Sequence, residues 1–347
     1  MNKTSVTSRF LLLLLLSVGF FAHADDNRGR ITYLRGAVTA TDDTGVPRIL
    51  QADSRVRLGE TVETASNSVV QIVFPDRSMM HLKPNTKLTV EAFNFTRSKP
   101  DDDGNIASIV KGSMRALTGL IGKRNPGKVK YKTPLATIGI RGTVIEIEQV
   151  KGGLSKAIFD LGQGYITTGN QADVPLKAGE AGQVSKQGQE PLKSDFKRPA
   201  NDPASLAIKL AAATDEQIIA ETTIICADLD SADVLLMVAI EIKVPTVETA
   251  SIKSTVQGLS TCLPVDITHT MLLMSTYLDP GIASELLESA VNGGVNVAIA
   301  LESVLRGMEY ATKESMQDVV NKAIDKGLSK DGARNILSNV SEGGMCY

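Results

Sequence analysis

What this chain can fold into is constrained most by a change of texture near residue 196. From Asp25 to about Lys193 the sequence is punctuated by glycine and carries eight short, turn-flanked segments rich in β-branched residues. Beyond that point Ala, Leu, Ile and Val recur at helical spacing. One sheet or one bundle cannot serve both periods. The expectation is therefore an α+β multidomain protein, with an all-β roll or sandwich over residues 25–195 and an all-α domain of short helices over 196–347. A length of 347 residues agrees with about two domains. The polar stretch Gly179–Pro203, rich in Gly, Pro and Lys, reads as the linker between them.

The first 24 residues have a different character. Lys3 and Arg9 precede a 13-residue apolar run, Phe10–Ala22, which ends at Ala22-His23-Ala24, a small-x-small cleavage pattern. A spanning helix needs roughly 20 apolar residues, so residues 1–24 read as a cleaved secretory signal. No Cys follows the run, and no integral membrane segment is expected once the signal is gone. The mature chain would carry 35 basic against 39 acidic residues, a balance with no global drive toward nucleic acid. The expected location is the periplasm, or the secreted or cell-surface fraction, of a bacterium.

Within the first half, Val69, Ile72 and Phe74 alternate in SVVQIVF, PDRS turns the chain, MMHL returns, and LTVEAF follows the PNTK turn. Arg77 sits where a hairpin turn favours Gly; a type I geometry would tolerate it. The segments YITTG, DVPLKAGE and GQVSKQ repeat this style, and helix fits poorly anywhere before residue 196. The string KTPLATIGIRGT, residues 132–143, joins Pro, two Gly and Arg to β-branched residues at two-residue spacing, the pattern of a strand entering and leaving a tight backbone feature. Arg141 lies between Ile140 and Gly142, and its planar fork is expected to satisfy carbonyls or a carboxylate inside the fold.

These segments together resemble the FecR-domain family. The matching residues are Gly59–Val90, Val110–Gly119 (VKGSMRALTG), Lys132–Glu148 (KTPLATIGIRGTVIEIE), and the FDLGQGYITTG and LKAGEAGQV segments up to Val184, in family order over residues 30–186. Arg77 departs from the family pattern, which prefers Gly. The resemblance implies a β-rich extracytoplasmic module without a catalytic centre, in which Thr133, Pro134, Gly139, Arg141, Gly142 and Thr143 are structural motif residues. The best-known members relay a signal from an outer-membrane transporter to a sigma factor, and they carry a cytoplasmic segment and a transmembrane helix ahead of the domain. This sequence shows neither ahead of the domain, so the sigma-regulating role is not expected of it.

A charge pattern gives a second clue. Lys111, Arg115, Lys123, Arg124, Lys128, Lys130, Lys132 and Arg141 fall in a stretch with no Asp or Glu. Lys128, Lys130 and Lys132 alternate with Val129 and Tyr131, which would align three ammonium groups on one strand face. Excluding Arg141, these residues form a candidate basic face for an anionic envelope polymer or glycan. The plainer alternative is a solvated face whose lysines discourage edge pairing.

The helical half has legible starts and stops. Asp202-Pro203 and Asp279-Pro280 offer an N-cap followed by Pro, Thr214-x-x-Gln217 has capping-box form, and Gly293-Gly294, Gly327 and Gly343-Gly344 mark ends. At an offset of 33 residues Leu286 aligns with Val319, Ala290 with Ala323, Gly294 with Gly327, Ala300 with Ala333 and Val304 with Leu337. That period is near those of helical-hairpin arrays, with an irregular bundle as the alternative. Either would serve as a docking surface for a protein partner. Cys226 and Cys262, placed in separate helices, are the simplest disulfide pair, although Cys346 leaves three pairings open.

Chemistry is sparse. His81 and His269 sit among apolar neighbours, no nucleophile has a visible base motif, and DDDG at 101–104 misses calcium-loop spacing. No cofactor, metal or catalytic residue is expected. The sequence thus points to an exported, non-enzymatic envelope protein acting in signalling or assembly through a protein partner, or binding an anionic polymer through the 111–141 face.

Overall fold

The computed structural model describes residues 27–96, 99–169, 171–199, 249–308 and 311–342, with Asp202, Ser205 and Gln217. The signal segment 1–24, the Thr214 cap, Cys226, Cys346 and the Gly343-Gly344 stop lie outside the described residues.

The β-half forms one 15-stranded sheet. Its strands are β1 (Gly29–Arg35), β2 (Val38–Thr41), β3 (Pro47–Ile49), β4 (Arg55–Val56), β5 (Thr61–Thr64), β6 (Val69–Val73), β7 (Met79–Leu82), β8 (Lys87–Asn94), β9 (Gly104–Leu117), β10 (Val129–Lys132), β11 (Thr137–Gln149), β12 (Ser155–Thr167), β13 (Val174–Lys177), β14 (Glu180–Val184) and β15 (Leu192–Asp195). Eight segments were expected from alternation. The remainder include β3, β4 and β15, only two to four residues long, too short for a period to register. Two of the 15, β14 and β15, lie inside the stretch read as a linker, so the fold continues to residue 195 without a break there.

Three long strands organise the sheet. The first half of β9 pairs with β8 and, in parallel, with β10, while its second half pairs with β7 and β11. β11 changes partner from β10 to β9 halfway, and β12 from β14 to β13. Each strand therefore passes from one layer of a roll into the other. Each bends at a glycine with positive φ: Gly112 (φ +93°), Gly142 (φ +60°) and Gly162 (φ +75°). Glycine without a Cβ accepts that geometry, and bulged, glycine-kinked strands are how a sheet turns a corner. The three glycines belong to the VKGSMRALTG, IRGT and FDLGQG motifs, so those motifs encode one continuous crease across neighbouring strands.

The folded-over sheet encloses a core in which Tyr131, Phe74, Phe93 and Phe159 are fully buried, and Phe74 stacks on Phe93 with centroids 4.8 Å apart. At the β6–β7 hairpin the Arg77 N–H donates to the Phe74 carbonyl, and Arg77 adopts φ +66°. The turn is thus followed by a left-handed residue, the position where Gly is favoured. A short helix, α1 (Leu120–Arg124), interrupts the all-β expectation. Its first N–H groups, on Leu120 and Ile121, donate to the carbonyl and carboxylate of the buried Asp76. That tertiary cap is invisible to local periodicity.

The second half comprises α2 (Thr249–Ser260), α3 (Val265–Leu278), α4 (Ala283–Asn292), α5 (Val297–Gly307), α6 (Lys313–Asp325) and α7 (Lys330–Glu342). They form three hairpins stacked so that α2, α4 and α6 make one row and α3, α5 and α7 the other. Leu286, Val319, Ala290, Ala323, Ala300 and Ala333 are all buried in their common core, and Gly294 and Gly327 leave α4 and α6 with nearly the same φ, +98° and +101°. The 33-residue offset therefore describes stacked hairpins. Asp279 caps a single turn, Pro280–Ile282, ahead of α4 by accepting from the Gly281 N–H. Asn296 and Thr312 cap α5 and α6.

The helical array docks on the outer face of the β1–β6–β7 layer. Leu273 and Tyr277 of α3 pack against Tyr33, Val69, Val73 and Met79, and the Tyr277 hydroxyl donates to the Phe74 carbonyl at 2.7 Å. None of the described helices is long and apolar enough to cross a membrane.

Candidate ligand-binding groove at the crease

The KTPLATIGIRGT segment builds this site from its turn outward. Thr133–Ala136 closes the β10–β11 hairpin: the Thr133 N–H donates to the Ala136 carbonyl at 2.8 Å, the Ala136 N–H donates to Thr133 Oγ1 at 2.9 Å, and Pro134 occupies the second turn position. This is the chemistry a Pro-containing turn requires. Along β11, Ile138 and Ile140 are buried in the core. Gly139 faces Tyr165 of β12 across the ladder, and a Cβ there would lie 2.2 Å from the tyrosine ring. Glycine lets the ring lie flat on the backbone.

The bulge follows. Arg141 pairs with Gln163, but the next paired residue on β11 is Val144. Arg141 is exposed and forms no hydrogen bond or ion pair among the described residues. The expectation that its guanidinium is held inside the fold is corrected on this point. Arg141 keeps the alternation in which Ile138 and Ile140 face the core, so its fork faces solvent, and the register breaks only after it.

Arg141 lines a groove of about 560 Å³. Tyr165 and Pro175 provide its accessible apolar surface and Gln163 and Lys177 its exposed polar rim, while Ile140 and Leu176, also in its lining, are buried on the core side of the sheet. Burial, aided by the nearby Asp173 carboxylate, raises the Tyr165 phenol above its ordinary range, so the hydroxyl stays a neutral donor. Glu180 is neutralised: Lys193 Nζ sits 2.7 Å from its carboxylate, and the Lys177 N–H donates to it at 2.9 Å. Those bonds hold its carboxyl below the usual range. The Lys177 side chain makes no ion pair among the described residues. The groove thus sets Arg141, Lys177 and Lys193 against the one carboxylate of Glu180, on which Lys193 and Lys177 both act, and Arg141 is the charge left unengaged. A pocket of this size and lining suits an organic ligand or a short segment of a partner chain.

The other basic residues do not share one face. Arg115 is buried, with its guanidinium 2.5 Å from Asp160. Arg124 is bidentate to Asp103, the last residue of the acidic turn, at 2.6 and 2.9 Å and lies over the Phe95 ring. Lys111 pairs with Glu63, and Lys132 with Glu91. Lys123 and Lys128 are exposed and Lys130 partly buried, and none of the three has an ion-pair partner among the described residues. Lys128 belongs to a single helical turn, Pro126–Lys128, so only Lys130 and Lys132 alternate on β10.

Arg115 instead belongs to a buried charge cluster on the outer face of the sheet. Glu146 contacts Lys83 and, at 3.0 Å, Arg198; Arg198 also holds Asp160 at 2.6 Å and Asp202 at 3.0 Å. Burial alone would raise the Glu146 carboxyl, but Lys83, Arg198 and Arg115 hold it at about 2. Beside it, burial with Lys83 and Arg115 pushes the His81 imidazole down to about 4. The cluster fastens the segment leaving β15 onto the sheet, and nothing in the local sequence announces it. His269 accepts from or donates to Ser303 at 2.8 Å through Nδ1, an ordinary helix-to-helix contact. Cys262 lies in the turn after α2 and is disulfide-bonded to a residue outside the described set. Among the described residues no cluster of His, Cys, Asp or Glu is placed to hold a metal ion.

Comparison with known proteins places the β-half. Residues 60–160 match the model of the FecR protein family, so the chain carries a FecR domain from β5 into β12. Two crystal structures of a Parabacteroides distasonis protein provisionally described as an anti-sigma factor are similar in part, at 16% and 13% identity, each with a TM-score of 0.32. The match covers 40% of this chain and 60% of those structures, so the chain spans less than two thirds of their length. No curated protein matches the chain. Arg141 lies within the family segment, whereas Gln163, Tyr165, Leu176 and Lys177 lie beyond it.

Proposed function

We propose that the chain is an exported, non-enzymatic regulatory protein of the bacterial envelope, working by FecR-type recognition of a protein partner. The observation that carries this reading is the FecR domain held against an array of helical hairpins. Stacked hairpins present an extended surface suited to docking. A site-specific photo-crosslinker at exposed Gln317 of α6, in the full-length chain in cells, tests it. One discrete protein adduct from the envelope fraction is expected; no adduct there or at groove positions removes the reading.

A second reading is attachment to an anionic envelope polymer. Lys123, Lys128 and Lys130 support it, since none is paired among the described residues. Arg115, Arg124, Lys111 and Lys132 argue for a smaller footprint than the whole 111–141 stretch, since each already has an acidic partner. Lipopolysaccharide binding should weaken steeply with salt and fall in Lys128→Glu/Lys130→Glu. Binding unchanged in that variant ends this reading.

A further inference from the structure

We propose that the groove at the crease receives an extended acidic segment of the protein partner, with a carboxylate on Arg141 and apolar side chains on Tyr165 and Pro175. This rests on the reading above that the chain acts through a protein. Three observations converge on the groove. First, its charge is unbalanced in one sense. Glu180 is already matched by Lys193, while Arg141 and Lys177 have no ion-pair partner among the described residues. Every other described arginine has a hydrogen bond, ion pair or electrostatic contact, so an exposed, unengaged guanidinium is unusual in this molecule.

Second, the arginine ends the regular part of the ladder. Arg141 still pairs with Gln163 and faces away from the core, and the bend at Gly142, φ +60°, follows directly. The guanidinium therefore stands at the edge of the crease, in a row with Gln163 and Lys177. A planar fork beside an apolar floor is suited to a carboxylate taken bidentately.

Third, the floor at Tyr165 is braced from beneath. Tyr165 lies on Gly139, and Ile140 and Leu176 are buried at 2% exposure each. The turn after β13 is tied into the crease, with the Ala178 N–H donating to the Gly162 carbonyl at 2.9 Å and the Gly179 N–H to the Phe159 carbonyl at 2.8 Å. A groove so braced is formed before its ligand arrives, which limits the ordering cost of binding. Two cations from different strands flanking an apolar floor fit acidic and apolar side chains in alternation, the pattern of an extended peptide. A lone small anion would use one cation and leave the floor empty.

The test uses the full mature chain and fluorescein-labelled hexapeptides that alternate Glu with Val, Ile, Leu or Phe, beside matched peptides with Gln for Glu. At least one acidic peptide should bind about tenfold or more tightly than its Gln match, as expected for a charge-assisted contact worth about 1.4 kcal/mol. Arg141→Gln should abolish that preference with an unchanged melting temperature, since the side chain supports nothing else. Gly139→Val, which lifts the Tyr165 ring, should weaken both peptide sets while leaving the preference for Glu. Equal binding of Glu and Gln peptides, or a preference that survives Arg141→Gln, overturns the proposal. Competition by free glutarate at the peptide's own affinity overturns the extended occupant and assigns a small dicarboxylate. A cellular crosslink to a protein that persists in Arg141→Gln refutes the groove alone and leaves the regulatory reading standing, whereas absence of any protein crosslink in the unaltered chain refutes that reading itself.

Discussion

Glu146 meets three cations, Lys83, Arg115 and Arg198, in a place with 3% of its side chain exposed. Removing one member of such a set strands the others. Glu146→Gln is expected to cost about 3–5 kcal/mol, the usual penalty for breaking a buried pair, measured by denaturant unfolding; a cost below about 1 kcal/mol would show that the cluster is wetter than its burial implies. The pH dependence follows from the same groups. Glu146 is held at about 2 against 4.5 in the unfolded chain, so its stabilisation is complete above pH 4.5 and fades as pH falls toward 2. His81 is held at about 4 against 6.5, so the folded state excludes a proton that the unfolded state binds, and stability declines between pH 6.5 and 4. Asp76 acts in the opposite sense, since burial raises its carboxyl. His81→Gln should flatten the melting temperature between pH 6.5 and 4 while leaving the lower limb, which a pH series of thermal melts reads directly.

Among the elements, the crease through β9, β11 and β12 decides most of what the β-half can do. Its three glycines are not equivalent. At Gly112 an added Cβ would lie 2.5 Å from the Thr86 Cα and 2.8 Å from the Asn85 carbonyl, both backbone. At Gly142 it would meet nothing within 4 Å, so only φ opposes it. Gly142→Ala is therefore expected to cost about 1 kcal/mol. Gly112→Ala should cost about 3 kcal/mol or more, because strain and overpacking add. Equal costs in chemical denaturation would refute the role assigned to Gly112 as the tight point of the fold. Position in the crease also explains which motif residues were legible. Thr133, Pro134 and Gly142 announce a turn and a bend by residue type. The outward fork of Arg141 follows from the alternation that buries Ile138 and Ile140, but that it meets no acidic partner there is a matter of tertiary neighbours, which residue type does not encode.

On the scale of the whole molecule, the two halves are joined by a small apolar contact and a few polar ones. Leu273 and Tyr277 supply the helical side, and Arg306 adds an ion pair to Asp53 at 3.6 Å. Leu273→Ala is expected to cost about 2–4 kcal/mol as a buried truncation. Because Leu273 serves the junction and is not part of the array's own core, the loss should appear as faster hydrogen exchange in α3 and β6 with α6 and α7 unchanged. Uniform acceleration across all helices would instead make Leu273 a core residue of the array. The chain leaving β15 is fastened to the sheet: Arg198, at 7% side-chain exposure, bridges Glu146, Asp160 and Asp202. Its polar composition resembles a linker because its partners lie 38 and 52 residues away, on β12 and β11.

The sequence alone determined the class of each half, the order of the FecR motifs, the caps at Asp279 and the 33-residue hairpin offset, because these depend on interactions within a few residues of each other or on a repeated local period. Tertiary structure decided which charges are spent and which are offered. Arg115 and Arg141 stand in the same acid-free stretch, yet one is buried against Asp160, 45 residues away, and the other is exposed beside Tyr165 and Lys177. Composition treats the two alike. Strand register and the bends at Gly112, Gly142 and Gly162 separate them, since those set which face of the sheet a side chain reaches and what waits for it there.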